Sequence, residues 1–423
     1  MAKAMETTSS RASGERASRN GHADRSFAKD HDQTGRMMHV RNVTDSLAWS
    51  EPAWDALQQA GKYDRTLKVD RSFWPRMMRR FVPPRCYTRE AHFSHMVAGE
   101  PIVVEGFPSP ARGPIRHLAA EGAGEAIIDW MLSCKEPGKH RVYSGPAGSR
   151  RQYTLPEIAR KWRAERTRLG VTDLHIRETR LEEIIDPEGL SAFNLLCRSS
   201  DRARAQEMFS FVISSQGYLT DSHSDAPDSS NYCFVGKKLW LAWDTYEGMK
   251  HGLEDVERMP LTTKPRFDLH SWLALRSARW LLVNPGQTLF LPANLTHKVI
   301  TLERYVGVGG FYLALPNCLR LLAYWIDRVP LWSKRDATGR NDELIGDIAK
   351  TARDTILQLR DAPPEERRKL GWDYLEQAAR LLLATCSSAQ FRLLWSDPRF
   401  RCVAEVIPAS WPLPRSDSLR FAL

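Results

Sequence analysis

The stretch from residue 207 to 316 constrains the fold most, because it reads as a close series of short strands. Short apolar or alternating runs recur there, separated by residues that favour turns. The runs cover 209–213, 232–235, 239–243, 280–283, 288–291 and 305–315. Strands at this spacing predict a β-sandwich or a barrel. Residues 284–287, Asn-Pro-Gly-Gln, predict a type II turn, since Pro is second and Gly third.

Helical patterns flank the strand-rich stretch on both sides. Residues 46–96 contain short amphipathic pieces, one of them over 50–59, and predict an N-terminal helical segment. Residues 321–423 carry apolar residues at three- and four-residue steps, most clearly over 342–359 and 364–385. They predict a C-terminal helical region. The expected fold is therefore of the α+β class, with helices before and after a β core.

Two further parts of the chain have their own character. Residues 1–45 are rich in Ser, Arg, Gly and Asp and contain few large apolar side chains, so they predict a disordered tail. Beyond residue 97 the pattern predicts a strand over 101–105 and helices over 116–134 and 154–169. The last of these helices begins with Thr followed three residues later by Glu, which is the pattern of a capping box.

The charge balance favours acidic partners. The chain has 61 Lys+Arg against 51 Asp+Glu, a formal net charge of +10. Long-range attraction to nucleic acid, anionic lipid or an acidic protein follows from such an excess, but none of the three is selected by it. The densest basic runs, at 76–80 and 161–168, are typical of solvated helix faces, and phosphate contacts are the alternative.

The cysteines and the apolar runs bear on the compartment. The 7 cysteines are far apart and include no CxxC pair, which favours reduced thiols and argues against a zinc module. We therefore expect an intracellular protein, in the cytoplasm or the nucleus. The longest uncharged stretch near the core, over 305–319, is shorter than the about 20 residues of a membrane helix and contains Gly and Pro. No membrane segment is expected.

Three residues inside the strand-rich stretch form a candidate metal site. His223 and Asp225 stand two apart in Thr-Asp-Ser-His-Ser-Asp, and His297 follows in a later run. Alternate residues of a strand project to the same side, so both members of the His-x-Asp pair can reach one ion. Two histidines and one carboxylate on one face of the ion are typical of non-haem iron(II). The second histidine has to come from a neighbouring strand.

Other matches carry less information. The predicted tail contains a second His-x-Asp pair, His22 and Asp24, so this spacing alone does not define a site. His92 and His95 are spaced for one helix face, but no third ligand is near in the sequence. The glycines in 306–310 resemble a nucleotide-binding loop only superficially, because no Lys-Ser/Thr or helix start follows. Strand glycines against packed neighbours are the expected interpretation.

Six residues stand in the order found in a known family. They are Thr220, His223, Asp225, Asn231, Lys238 and His297. Together with the segments 99–106 and 284–292, they make the stretch 97–320 resemble the JmjC family of iron(II) and 2-oxoglutarate-dependent oxygenases. The resemblance implies a double-stranded β-helix, the jelly-roll or cupin core, around the metal. It also implies Fe(II), 2-oxoglutarate as cosubstrate and O2.

The resemblance also implies roles for residues beside the metal. Thr220 and Lys238 stand where relatives hold the distal carboxylate of 2-oxoglutarate, and Asn231 is expected to bind the cosubstrate as well. Trp240 matches a tryptophan that follows this lysine in relatives. Lys237 is the alternative to Lys238, since strand alternation points only one of the two inward.

The function implied is hydroxylation of a C–H bond. The preferred substrate is a protein side chain, with a hydroxylase or a histone or protein lysine demethylase as the enzyme, since loss of a methyl group follows when the carbon is an N-methyl. Two alternatives stay open: an oxygenase of a small molecule, and a catalytically silent binding module. A basic or chromatin-associated protein partner is expected, nucleic acid is left open, and the C-terminal helices offer a homodimer interface.

Overall fold

The computed structural model describes residues 50–135, 138–144, 150–164, 168–176, 181–186, 193–198, 209–225, 227–253, 266–332, 340–385 and 388–407. The predicted tail over 1–45 lies outside the described residues. So does the pair His22 and Asp24. The described residues form a mixed structure of helices and of antiparallel and parallel strands, which confirms the expected combination of a strand-rich stretch with helices on both sides.

Thirteen strands are present in the described part of the chain. They are β1 (Arg85–Cys86), β2 (Ile102–Glu105), β3 (His140–Ser144), β4 (Arg150–Tyr153), β5 (Leu169–His175), β6 (Phe209–Ser214), β7 (Leu219–Ser224), β8 (Asp228–Val235), β9 (Lys238–Asp244), β10 (Arg279–Val283), β11 (Gln287–Leu291), β12 (Leu295–Thr301) and β13 (Tyr305–Tyr312). The larger sheet has the order β1-β2-β11-β8-β13-β6-β5-β3-β4, and the smaller has the order β10-β9-β12-β7. Only β1 and β2 pair in parallel among these strands.

Successive strands from β6 to β13 alternate between the two sheets, except that β9 and β10 both belong to the smaller one. The inner faces of the sheets pack on each other. One cluster of buried residues joins Leu289 and Tyr305 of the larger sheet to Trp240, Leu281 and Val299 of the smaller sheet. The predicted turn between β10 and β11 is confirmed: Gly286 has φ 81, and the amide of Gln287 donates to the carbonyl of Asn284 at 3.1 Å.

The helices in the described residues are α1 (Ser50–Tyr63), α2 (Trp74–Met78), α3 (Arg89–Ala98), α4 (Ala120–Ser133), α5 (Leu155–Arg163), α6 (Thr245–Lys250), α7 (Leu269–Ala274), α8 (Cys318–Trp332), α9 (Arg340–Arg360), α10 (Pro364–Lys369), α11 (Trp372–Thr385), α12 (Ser388–Ser396) and α13 (Pro398–Ala404). Shorter 3-10 turns connect several of them. None of these helices is long and apolar enough to cross a membrane.

Helices cover the outer faces of both sheets. Leu57 of α1 and Met77 of α2 pack with Leu241, Trp280 and Ile300 on the outer face of the smaller sheet. Helices α4 and α5 cover the larger sheet, and β8 and β13 contribute apolar residues to that cluster. Helices α8, α9 and α11 to α13 share a separate apolar cluster after the last strand. The two sheets are therefore shielded on the outside, and the space between them is left for the site.

Three predicted helices have different bounds in the structure. The helix expected over 116–134 begins at Ala120, because Gly113–Ile115 form a 3-10 turn first. The helix with the capping box of Thr154 ends at Arg163, and Leu169 already belongs to β5. The stretch 364–385 contains two helices, α10 and α11. Gly371 separates them at φ 75, where a side chain would be strained.

Candidate metal and keto-acid site

Strands β7 and β12 bring the three predicted metal ligands together. His223 and His297 are direct cross-strand partners, with ring centroids 4.2 Å apart. Asp225 follows the end of β7, and its carboxylate lies 4.0 Å from Nε2 of His223 and 3.8 Å from Nε2 of His297. One ligand atom from each residue lies within 4.8 Å of the other two. An ion between them can therefore contact all three side chains.

Backbone carbonyls orient both imidazole rings. Nδ1 of His223 lies 2.9 Å from the carbonyl oxygen of Asp221, and Nδ1 of His297 lies 3.3 Å from that of Leu295. Because a carbonyl oxygen only accepts, these contacts favour a proton on Nδ1, which leaves Nε2 as the ring atom that can bind a metal. Both Nε2 atoms face Asp225. The tautomers thus match what a divalent cation requires.

A bulge in β7 turns Thr220 toward the same side as His223. Residues three apart on a regular strand point to opposite faces. The pairing shifts here, since His223 lies opposite His297 whereas Thr220 lies opposite Val299, only two residues further along β12. One extra residue on β7 therefore places Thr220 on the inner face with Val299. The half-buried Thr220 lies deeper between the sheets than the metal ligands, by one inward-facing residue along the strand.

Lys238 lies deeper between the sheets than Thr220, by one further inward-facing residue along the strand. Its partners are Thr301 on β12 and Val283 on β10, and its side chain is only 3% exposed. No carboxylate of the described residues lies within ion-pair distance of its ammonium, which instead lies 4.3 Å from the ring centroid of Tyr305. Burial lowers the pKa of Lys238 to about 7. A buried cation without a carboxylate partner is a ready site for an anionic ligand.

Lys237 has a different environment. Its ammonium pairs with the carboxylate of Glu303 at 2.9 Å, and its side chain is one-third exposed. It points away from the inner face because β9 alternates. Of the two lysines left open by the sequence, Lys238 is therefore the one whose geometry suits a ligand between the sheets.

Asn231 lies on the inner face of β8, across from the lysine. It is 6% exposed, and its Oδ1 accepts a hydrogen bond from the hydroxyl of Tyr305. Tyr305 itself is fully buried on β13. Thr220, Asn231 and Lys238 thus line the inner faces of three strands on the same side of the metal ligands. Tyr305 was not singled out in the sequence, and no local motif marks it.

Trp240 closes the apolar side of the site. It follows Lys238 on the inner face, and its indole ring lies 5.3 Å from the imidazole of His297, centroid to centroid. Its Nε1 is buried and has no hydrogen-bond partner in the described residues. His297 is 2% exposed, whereas His223 is only half-buried. Access to the metal ligands is therefore from the side of His223 and Asp225.

Asp228 fixes the chain on both sides of the site. This fully buried carboxylate accepts hydrogen bonds from the amides of Ala293 and Ala314, at 2.9 and 3.0 Å, and from Nδ2 of Asn317 at 2.8 Å. Burial nevertheless raises its pKa to about 6, against the effect of these donors. The amide of Ala293 belongs to the turn that leads into β12. Asp228 thereby helps to position the strand that carries His297.

The other candidate histidines are not part of the site. His92 is fully buried among aromatic rings, including those of Phe290 and Phe193, and burial lowers its pKa to about 3. His95 lies beside Arg85 and Glu100. His223, Asp225 and His297 form the one group of three metal-ligating side chains within the described residues. The glycines of 306–310 are in β13, as expected of strand glycines.

The residues present fit iron(II) and a dicarboxylic keto acid. Two neutral imidazoles and one carboxylate leave half of an octahedral coordination shell free. The ammonium of Lys238, which has no carboxylate partner among the described residues, lies on the same inner face, two inward-facing residues deeper, which suits a second carboxylate of a bound acid. The six cysteines that the structure describes are free thiols, so none adds a disulfide here.

Comparison with known proteins gives limited further support. No family model matches the chain. The chain is 25% identical over 190 residues to the tRNA wybutosine-synthesizing protein 5 of Danio rerio. The match covers 43% of this chain and 51% of that protein, so it spans about half the length of the relative. At this identity the similarity supports the JmjC resemblance only weakly.

Proposed function

We propose that the chain is an iron(II) and 2-oxoglutarate-dependent oxygenase of the JmjC kind, which hydroxylates a C–H bond. The observation that carries the proposal is the combination of two features on one inner face. One is the His223, Asp225 and His297 cluster. The other is the buried ammonium of Lys238, which has no described carboxylate partner. A metal and a dicarboxylic acid together account for both.

We propose in addition that β6 to β13 form a double-stranded β-helix. The alternation of these strands between the two sheets supports this assignment, since each sheet then holds four of them. Strands β1 to β5 extend the larger sheet. Of these five strands, the sequence pattern predicted only β2. In such a core the ligands of the metal come from neighbouring strands of one sheet. Here those strands are β7 and β12.

The chain's own residues would bind and orient the reactants. His223, Asp225 and His297 would hold iron(II). Lys238 would neutralise the far carboxylate of 2-oxoglutarate, while Thr220 and Asn231 would add hydrogen bonds. Trp240 and the apolar residues between the sheets would exclude water from the reacting atoms.

When bound, the iron supplies the redox chemistry by which O2, 2-oxoglutarate and a C–H bond become a C–OH bond, succinate and carbon dioxide. One oxygen atom goes to each of the two organic products. The substrate would approach from the side of His223, because His297 and Trp240 are buried. The protein contributes position and charge, and it does not itself donate electrons.

The first test measures succinate formed from 2-oxoglutarate by purified protein with iron(II) and ascorbate under air. We expect succinate from the wild type, and a loss of more than about 100-fold in His223→Ala, because two remaining ligands bind the ion poorly. Lys237→Ala is the matched control for Lys238→Ala, since the two lysines are adjacent but only Lys238 points inward.

The outcomes separate this proposal from a catalytically silent binding module. Binding of manganese(II) by the wild type but not by His223→Ala, without succinate under any condition, would favour an idle oxygenase that needs its substrate. Adding candidate substrates then decides the matter. Failure of the wild type to bind either manganese(II) or 2-oxoglutarate would contradict the proposal and favour the silent module.

For the substrate, we propose a macromolecule. A protein side chain, hydroxylated or demethylated, is the first candidate from the resemblance. RNA is the second, because the Danio rerio relative is named for wybutosine synthesis in tRNA and because this chain carries a net charge of +10. Incubation with histone and with unfractionated tRNA, each followed by mass spectrometry, would show which gains one oxygen or loses a methyl group. A small molecule becomes the substrate class if neither changes while succinate is still formed.

A further inference from the structure

Tyr305 has surroundings that the roles proposed so far leave unexplained. It is fully buried and lies on the inner face of β13, in the apolar cluster between the two sheets. Its hydroxyl bonds to Asn231, and its ring supports the ammonium of Lys238 at 4.3 Å from the centroid. Both contacts involve residues proposed to bind the keto acid. The inference below rests on that proposed function and concerns which acid the site accepts.

Gly307 allows the ring of Tyr305 to lie along the strand. A Cβ atom at Gly307 would come within 2.6 Å of Cε1 of Tyr305 and 2.8 Å of its hydroxyl oxygen, closer than real contacts allow. A Cβ atom at Gly309 would come within 3.1 Å of Nδ2 of Asn231. The ring therefore folds back over Gly307 and carries its hydroxyl toward Asn231. Its position depends on this glycine.

The strand register gives the depth at which the ring lies. On β9, Ala242 lies opposite His297 and Lys238 lies opposite Thr301, four residues apart. At about 3.3 Å per residue this is about 13 Å between the level of the metal ligands and that of the lysine. Tyr305 belongs to the deep level, since its strand partner Ser214 shares a hydrogen bond of 3.1 Å with Thr301. The ring thus lies at the level of Lys238 and contacts its ammonium, the group proposed to hold the far carboxylate of the acid.

We propose that Tyr305 is the residue that sets the length of the keto acid. Its ring holds the ammonium of Lys238 on one face and fills the space beyond a five-carbon acid. The site therefore accepts 2-oxoglutarate and discriminates against the six-carbon 2-oxoadipate, because a further methylene would meet the ring. Tyr305 is a positioning and specificity residue, and it takes no part in electron or proton transfer.

The test measures binding by calorimetry, with manganese(II)-loaded protein, for oxaloacetate, 2-oxoglutarate and 2-oxoadipate. In Tyr305→Leu we expect the affinity for 2-oxoglutarate to fall about tenfold, from loss of a desolvated cation–π contact. The preference for 2-oxoglutarate over 2-oxoadipate should fall by about tenfold as well, because the shorter side chain leaves room for a methylene. Tyr305→Phe keeps the ring and should keep the preference.

Tyr312→Leu is the matched control. Tyr312 is also fully buried on β13, but it belongs to the cluster on the outer face of the sheet, and its hydroxyl lies 3.5 Å from Sδ of Met96. This variant loses the same atoms from the same strand. We expect it to lower the thermal midpoint while leaving the preference among the three acids unchanged. A purely structural role of Tyr305 would make the two variants alike.

The outcomes separate this inference from the proposed function. If the wild type binds manganese(II) but none of the three acids, the proposed function fails. If the wild type prefers 2-oxoglutarate and Tyr305→Leu keeps the full preference, only the role of Tyr305 is overturned. If Tyr305→Leu does not fold, Tyr305→Met replaces it, since its flexible side chain fills less of the same space, and the same two outcomes apply.

Discussion

Two buried lysines on neighbouring strands of the smaller sheet have opposite environments. Lys298, on the outer face of β12, is 6% exposed and pairs with the carboxylate of Asp64 at 2.9 Å. Lys238, on the inner face of β9, is 3% exposed and has no carboxylate partner in the described residues. Burying a charge is costly unless it is paired. The fold supplies the anion for the outer lysine but, within the described residues, none for the inner one, where the proposed keto acid would supply it.

The same contrast holds for the surrounding polar groups. Asp64 accepts from Thr66 as well as from Lys298; burial opposes its ionisation, but the charge of Lys298 and these hydrogen bonds together lower its pKa. Asp228 has three donors. By contrast, on the inner face the indole nitrogen of Trp240 and the ammonium of Lys238 have no hydrogen-bond or carboxylate partner among the described residues. Outside the site, Asp64 and Asp228 have partners within the protein; inside it, Lys238 is the group proposed to bind a ligand.

The largest expected effect is on stability, from breaking the outer pair. Lys298→Met should lower the free energy of unfolding by about 3 to 5 kcal/mol, because Asp64 is left buried without its cation. Manganese(II) and 2-oxoglutarate affinities of the folded protein should not change. Urea unfolding at pH 7 measures the first, and calorimetry the second. A double variant with Asp64→Leu should recover most of the lost stability, and no recovery would show that the pair is not the cause.

The matching change at the inner lysine should have the opposite pattern. In Lys238→Met we expect the affinity for 2-oxoglutarate to fall about 100-fold, the size of a charge-assisted contact in a buried site. The free energy of unfolding without ligand should stay equal or rise, since an unpaired buried charge is removed. The same urea and calorimetry measurements apply. A stability loss like that of Lys298→Met would show that Lys238 has a structural partner after all.

A third change concerns the carboxylate that fixes the strand of His297. Asp228→Asn should lower the free energy of unfolding by about 2 kcal/mol at pH 8. The NH2 group of the new side chain would face one of the three donors that bind the carboxylate, and that hydrogen bond would be lost. It should also weaken manganese(II) binding slightly. The raised pKa of Asp228, about 6, favours the folded protein at low pH, and that contribution is lost as pH rises from about 4 through 6. The variant should lack this part of the pH dependence.

The sequence predicted the grouping of His223, Asp225 and His297 better than the positions of the residues behind them. The His-x-Asp spacing and strand alternation were enough to expect His223 and Asp225 on one side, and β12 brings His297 to them. Alternation alone would have placed Thr220 on the opposite face, because the bulge in β7 is set by pairing with β12. The choice of Lys238 over Lys237 likewise needed the register of β9.

Other features depended on contacts between distant parts of the chain. Nothing near Asp228 in sequence indicates donors from residues 293 and 314. Tyr305 becomes notable only when Gly307, Asn231 and Lys238 surround it. Strands β3 to β5 were missed because each pairs with a partner that no local pattern identifies. Mixed helices and strands were predictable, whereas the extension of the larger sheet was not.

The smallest expected effect is a pH dependence that separates the two lysines. The pKa of Lys238 is lowered to about 7 by burial, so its ammonium loses its proton within the range of a binding experiment. A dicarboxylate binds the protonated form. The affinity for 2-oxoglutarate should therefore be constant below about pH 6 and fall by about fivefold between pH 7 and pH 8.

This dependence is measured by calorimetry between pH 7 and 9 with manganese(II) at saturation, so that the metal-binding histidines stay loaded. Lys237→Met is the control, because that lysine is exposed in part and pairs with Glu303; the same pH profile is expected for it as for the wild type. An affinity that does not change up to pH 9 would mean that the ammonium of Lys238 stays protonated. The inner lysine would then resemble the outer one, and the contrast between them would rest on geometry alone.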